Sequence, residues 1–174
     1  MTTPYVDPQT IHNPSTGINP PASWGDTVRD DLEFLIHRPG CRVARTTAQE
    51  LTDSTVTAIE FTATDLEDTD AYHSTSSNTS RLTIPSGLGG VYRVAGMIEF
   101  EVNGSNFRML GYRINGSEVR WMQTATADFE PRISFSEEVE LAVGAYVELI
   151  AYQNSGVALD ATAARFGVRW EART

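Results

Sequence analysis

Strict alternation of apolar and polar positions is the strongest pattern in this chain. In VYRVAGMIEFEV, Tyr92, Val94, Gly96, Ile98, Phe100 and Val102 alternate with Arg93, Ala95, Met97, Glu99 and Glu101. A period of two places one set on a core face and the other outward, which is a half-buried strand. The same period runs through Thr57, Ile59 and Phe61, through Leu110, Tyr112 and Ile114, through Ile133, Phe135, Val139 and Leu141, and through Phe166, Val168 and Trp170. Gly/Asn/Pro turn signals separate the runs, at Pro85 to Gly90, Asn103-Gly104, Asn115-Gly116, Gly144 and Asn154 to Gly156. Many short strands with no helical stretch between them predict an all-β, antiparallel jelly-roll sandwich over residues 41–174.

The first 40 residues read differently. Pro4, Pro8, Pro14, Pro20 and Pro21 forbid regular helix or central strand over the first 22 positions, leaving an extended arm. SWGDTVRDDLEFLIHRPG then changes the period: Trp24, Val28, Leu32, Leu35 and Ile36 share one helical stripe, with Arg29, Asp30 and Glu33 outside it. Ser23 with Asp26 reads as an N-cap and acidic first turn, and Arg38, Pro39 and Gly40 end the element, so a helix is predicted over about 24–37. A helix this short is marginal alone, and its stripe needs cover from its own domain, a sister subunit or a foreign surface.

Composition narrows the function. The chain has 174 residues and 40% hydrophobic content, enough for one self-sufficient domain and an appendage. Every basic residue is arginine. Of the net charge of −10, nearly all falls after Thr46, where eighteen Asp/Glu face nine Arg. An acidic body of this kind argues against nucleic acid and anionic membrane as partners. The N-terminus lacks a signal-peptide pattern and no window is apolar enough for a membrane helix, so synthesis in a cytoplasm is expected. The sole cysteine, Cys41, reads as a buried side chain.

Candidate chemistry is sparse. His12, His37 and His73 have no metal or triad spacing, and no nucleophile elbow, Walker loop or dinucleotide fingerprint occurs, so no catalysis and no cofactor are expected. Glu137 and Glu138 must point to opposite faces of a strand and cannot share one reaction. In DLEDTD, the carboxylates of Asp65, Glu67, Asp68 and Asp70 are the calcium candidates, without EF-hand spacing; a solvated acidic loop is the simpler reading. Asn78, Asn103 and Asn115 open glycosylation sequons that read as turns. Trp121 and Tyr72, off the regular core pattern, are candidate sugar platforms if the sandwich is a carbohydrate-binding module.

Several stretches together resemble the complement-C1q and tumour-necrosis-factor type of jelly roll as it occurs in tailed-phage structural proteins. RLTIPSGLGGVYRVAGMIEF is similar to its central-strand signature, with Pro85, Gly90 and Tyr92 in matching places. VELAVGAYVELIAYQNSG resembles the family's "L-x-x-G-D-x-V" stretch, with Ala145 where Asp is usual. ARFGVRWEA resembles the closing strand through Phe166 and Gly167, and NFRMLGYRINGSEV a strand and hairpin with an Asn-Gly turn. PPASWGDTVRDDLEFLIHRPGCRV resembles the "VRDxLxFL" segment that precedes such jelly rolls in phage tail and capsid-surface proteins.

The resemblance spans about Ser23 to Ala172. It implies a homotrimeric virion protein without catalysis, made in the host cytoplasm and displayed on the virion surface. Residues 1–40 would be the anchor on phage capsid or tail proteins, with Trp24, Val28, Leu32, Leu35 and Ile36 as the docking stripe. The absence of a fibrous shaft or coiled coil favours a capsid-decoration or head-fibre role over a minor tail or receptor-binding one. A host-surface glycan remains the alternative partner. The strand YVELIAY is apolar on both faces, with Val147, Leu149 and Ala151 on one and Tyr146, Ile150 and Tyr152 on the other, broken by Glu148. One face serves the core, and the second set is either the candidate trimer interface or buried within the same sandwich.

Overall fold

The computed structural model describes residues 22–62, 67–125 and 131–173. The arm lies outside this range, as does Asp65. The chain divides between Pro39 and Gly40, and each unit is taken by itself.

Before the division stands helix α1, Ala22–Ile36. It begins earlier than the expected N-cap, so Ser23 is inside the helix rather than capping it. Prolines precede the helix in sequence, and a proline at a helix start costs no hydrogen bond because the first-turn amides have no partner anyway. Asp26 serves the second turn instead and pairs with Arg29 three residues on, at 3.2 Å.

After the division the chain is antiparallel β. The strands are β1 (Gly40–Arg45), β2 (Gln49–Leu51), β3 (Thr57–Ala58), β4 (Glu67–Asp68), β5 (Arg81–Thr83), β6 (Gly90–Phe100), β7 (Phe107–Ile114), β8 (Ser117–Ala125), β9 (Arg132–Leu141), β10 (Tyr146–Gln153) and β11 (Leu159–Ala172). One sheet runs β4-β1-β11-β6-β9, with β2 also on β11; the other runs β3-β10-β7-β8, with β5 also on β10. We refer to them as the β6 sheet and the β7 sheet. This is the jelly-roll sandwich that the alternation predicts.

The core lies between the sheets. Tyr92, Val94, Ile98 and Phe100 from β6 and Phe166 and Val168 from β11 face Leu110 and Tyr112 from β7 and Val147, Leu149 and Ala151 from β10, all essentially buried. Cys41 is buried and forms no disulfide. Gly96 makes the packing between sheets this close: a Cβ there would sit 2.5 Å from Leu149 Cδ1 and 2.6 Å from Phe135 Cε1. The expected strand at Thr57, Ile59 and Phe61 is regular only over Thr57–Ala58. Ile59 and Phe61 are still fully buried. Ile59 still donates its amide to Leu149 O of β10 at 2.9 Å, whereas Phe61 turns away and donates to Thr79 O at 2.9 Å.

Candidate assembly surfaces

Strand β10 does not present the outward apolar face that its sequence suggests. Ile150 has no exposed surface, and Glu148 beside it is 2% exposed; Tyr146 and Tyr152 at the two ends are half-buried. Ile150 is therefore removed from the candidate interface. Its cover comes from its row across the sheet, in which Ile150 opposes Gly111 and Gly111 opposes Trp121. The indole takes the space that a side chain at 111 would fill, next to Ile150.

The next row holds a buried ion cluster. Glu148 opposes Arg113, whose Nε donates to its carboxylate at 2.6 Å; Ser80 Oγ donates at 2.7 Å and Arg81 Nε at 3.4 Å. Burial alone would raise the Glu148 carboxyl. The hydrogen bonds from Arg113 and Ser80 and the charges of both arginines outweigh it and hold the group below its ordinary value. The Arg81 guanidinium also lies 4.0 Å over the Tyr146 ring.

The outer face of the β6 sheet is different. Its middle row reads Arg42, Gly167, Ala95, Ser136, so the centre carries almost no side chain. A hollow of about 300 Å³ results, lined by Ala95, Met97 and Gly167 and by four arginines, Arg42, Arg93, Arg165 and Arg169, with Glu67 as the one acidic residue. Arg42 pairs with Glu67 at 2.9 Å, and Arg93 with Glu138 at 3.2 Å and with Glu171 at 3.1 Å. Arg165 is exposed and has no ion pair among the described residues. Glu137 and Glu138 diverge as alternation requires: Glu138 meets Arg93 outside, while Glu137 accepts from Tyr112 OH at 2.9 Å inside and pairs with Arg120.

The remaining candidates are placed as follows. On α1, Val28 is half-buried, Leu32 is 53% exposed and Ile36 69% exposed; for Trp24 and Leu35 the side chains lie outside the described residues. Of the calcium candidates, Glu67 is held by Arg42, the Asp68 carboxylate accepts from the amides of Tyr72 and His73 at 2.8 and 3.0 Å, and Asp70 accepts from Thr69 Oγ1. No cluster of three metal-ligating side chains occurs among the described residues. Tyr72 cannot be a sugar platform, because it is 1% exposed and its hydroxyl pairs with that of Tyr92 at 3.1 Å. Burial raises both tyrosines, Tyr92 to about 12. Trp121 is partly exposed.

Arg108 is a buried cation that the pattern reading missed. It is fully buried and donates to the carbonyls of Ser105, Phe107 and Asn103 at 3.0 to 3.1 Å, clamping the turn before β7. Desolvation lowers its pKa. Extending the series Ile114, Tyr112, Leu110 by two residues reaches Arg108, so the signal was present but pointed to a charge in a core position.

No protein-family model matches the chain, and no curated protein does. Among solved structures it is similar to the globular domain of zebrafish complement 1qA protein, with 14% identity and a TM-score of 0.59 over 79% of this chain and 100% of that one. It is also similar to PRD1 vertex protein P5, with 11% identity and a TM-score of 0.58 over 76% and 96% of the two chains. Eiger TNF from S. frugiperda gives 8% identity and a TM-score of 0.60 over 79% and 94%. The fold is therefore the C1q/TNF-like jelly roll, shared by complement and TNF domains and by a phage vertex protein.

Proposed function

We propose that this chain is a non-enzymatic structural protein of a phage virion, a homotrimer of the capsid-decoration or head-fibre type that docks through residues 1–40 and displays its jelly roll on the particle surface. The likeness to PRD1 vertex protein P5 over nearly the whole of that chain carries the reading. The VRDDLEFL segment before the sandwich supports it, as do the exposed Leu32 and Ile36 of α1.

We place the trimer contact on the outer face of the β6 sheet rather than on β10. Copies of a chain with net charge −10 repel each other over most of their surface. The hollow is less acidic than that surface: Arg42 and Arg169 stand by Glu67, Arg93 is paired with Glu138 and Glu171, Arg165 has no ion pair among the described residues, and the small-residue floor admits a neighbour's side chains. A closed ring buries three such hollows at once.

Purified full-length protein mixed with particles lacking the chain should bind them at stoichiometric copy number, and light scattering should give three subunit masses. Antibody labelling of intact virions places the chain on head or tail. A single subunit mass at micromolar concentration, or absence of the label from virions, overturns the corresponding part of the proposal.

A further inference from the structure

The outer face of the β7 sheet lies on the side of the sandwich away from the hollow. Its rows across β10, β7 and β8 read Glu148, Arg113, Glu118, then Ile150, Gly111, Trp121, then Tyr152, Met109, Gln123. The middle of this face is aromatic, and it is fixed. A Cβ at Gly111 would lie 2.8 Å from Trp121 Cε3 and 2.9 Å from Cδ2. No other indole atom lies nearer to that point, as Cγ would in an edge-on approach, so the six-membered ring lies over the glycine, beside Arg120 O. The indole Nε1–H is pinned by Glu118 Oε2 at 2.9 Å. One ring face thus rests on the sheet, and the partly exposed indole turns the other to solvent.

A second aromatic unit adjoins it along the strands. Phe107 and Tyr152 stack at 5.9 Å with 27° between their planes, both half-buried on this same face. Asn154 fixes that end, accepting from the Phe107 amide at 3.1 Å, while its carbonyl accepts from Asn106 Nδ2 at 2.7 Å. At the rim Gln123 is exposed, with both a donor and an acceptor free to turn, and Glu118 offers acceptor capacity beside the indole. The buried carboxylate of Glu148 is matched by Arg113 and Arg81, so the charged row adds no strong field.

We propose that this face binds a neutral saccharide, with one sugar ring stacked on the outward side of Trp121 and further residues running along Tyr152 and Phe107. The chemistry fits that class. A pyranose presents a flat set of C–H bonds to an aromatic face and hydroxyls around its edge, and this surface offers a rigid ring with amide and carboxylate groups at its margin. An acidic body disfavours sulfated or sialylated polymers, which commits the ligand to neutral hexoses or N-acetylhexosamines. The inference goes beyond the virion role and does not depend on it, because the site is complete within one subunit.

The test uses the purified full-length chain on an array of neutral hexose and N-acetylhexosamine oligosaccharides, followed by solution titration of any hit. Saturable binding is expected, with Trp121→Ala weakening it about tenfold or more and Tyr152→Thr weakening it several-fold, at an unchanged number of subunits. If Trp121→Ala does not fold, Trp121→Phe and Tyr152→Thr carry the comparison. Silence across the array overturns the proposal. So does binding that both variants retain, and so does a change in the number of subunits in Trp121→Ala, which makes the face a contact between copies. Whether the chain sits on a particle is read separately by virion labelling.

Discussion

Glu148 and Arg113 face each other across β10 and β7, with the guanidinium Nε 2.6 Å from a carboxylate whose side chain is 3% exposed. The pair lies on the outside of a sheet, yet neighbouring side chains cover it. Removing one partner of a buried pair leaves the other charge desolvated and unpaid. Arg113→Ala should therefore cost about 3 kcal/mol, and Glu148→Gln about 2 kcal/mol because Arg113 and Arg81 retain partial access to water. Urea unfolding at pH 7 measures both.

The same pair sets an acid dependence. The folded Glu148 carboxyl is held below its ordinary 4.5, so its contribution is fully present above that value and is lost as pH falls through the lower folded value. The stability gap between the wild-type chain and Glu148→Gln should be constant from pH 7 to about 5 and should close below the ordinary carboxylate range. Melting temperatures of the two proteins across pH 7 to 3 decide it; a gap that stays open at pH 3 removes the carboxylate as the cause.

The alkaline limb belongs to tyrosines. Tyr112 is pushed up to about 12, by burial first and then by the hydrogen bond and charge of Glu137; Tyr92 reaches about 12 by burial, and Tyr72 is raised further. A raised folded value contributes stability that is complete below the unfolded 10 and is lost as pH climbs through the folded values. Absorbance titration at tyrosinate wavelengths should show Tyr72, Tyr92 and Tyr112 ionising only above the ordinary tyrosine range, together with unfolding. Tyr72→Phe, Tyr92→Phe and Tyr112→Phe variants assign the signal, and ionisation of these three near pH 10 in folded protein contradicts this.

Much of this architecture is legible in the sequence. Tyr92 to Phe100 alternates without a fault because β6 has the core on one side and a sparse outer face on the other. Strand β10 is apolar on both faces, and that pattern does not say what covers each of them. Ile150 is sealed inside one subunit because Gly111, two strands' sequence away, has no side chain and lets Trp121 lie down. That cover is a cross-strand relation, invisible to periodicity within one strand. Arg108 escaped notice for a related reason: a charge at a core position satisfies the pattern only once its carbonyl partners at Asn103, Ser105 and Phe107 are known.

Gly96 gives a packing prediction. A methyl there would meet Leu149 from the opposite sheet and Phe135 from the neighbouring strand at distances that no side chain tolerates without movement. Gly96→Ala should destabilise the domain by about 1 to 3 kcal/mol, the range for overpacking a filled core. Gly96→Ala combined with Leu149→Ala should cost less than the two changes added, because the second relieves the clash of the first. A double-mutant cycle by denaturant unfolding reads that coupling directly.

The last prediction separates the two candidate contact faces of the proposed trimer. Arg165 is exposed and has no ion pair among the described residues, so reversing its charge has little to disturb within the subunit. On the rim of the hollow, however, Arg165→Glu replaces an arginine that has no ion pair among the described residues with an anion, and it should repel the acidic surface of an approaching copy. Light scattering should then show the trimer dissociating at low ionic strength, with partial recovery at high salt as the repulsion is screened. Tyr146→Asp changes the other face at a half-buried position beside Arg81, which can accept the new carboxylate, so that variant should keep three subunits. The opposite outcome, with Tyr146→Asp dissociated and Arg165→Glu intact, returns the contact to the β10 side and leaves the hollow as surface. Arg165→Glu should keep the unfolding free energy of the subunit within about 0.5 kcal/mol, and Tyr146→Asp, which loses the Arg81 contact, within about 1 kcal/mol. A shift beyond that in either one shows that the residue supports its own subunit and disqualifies it as a probe of assembly.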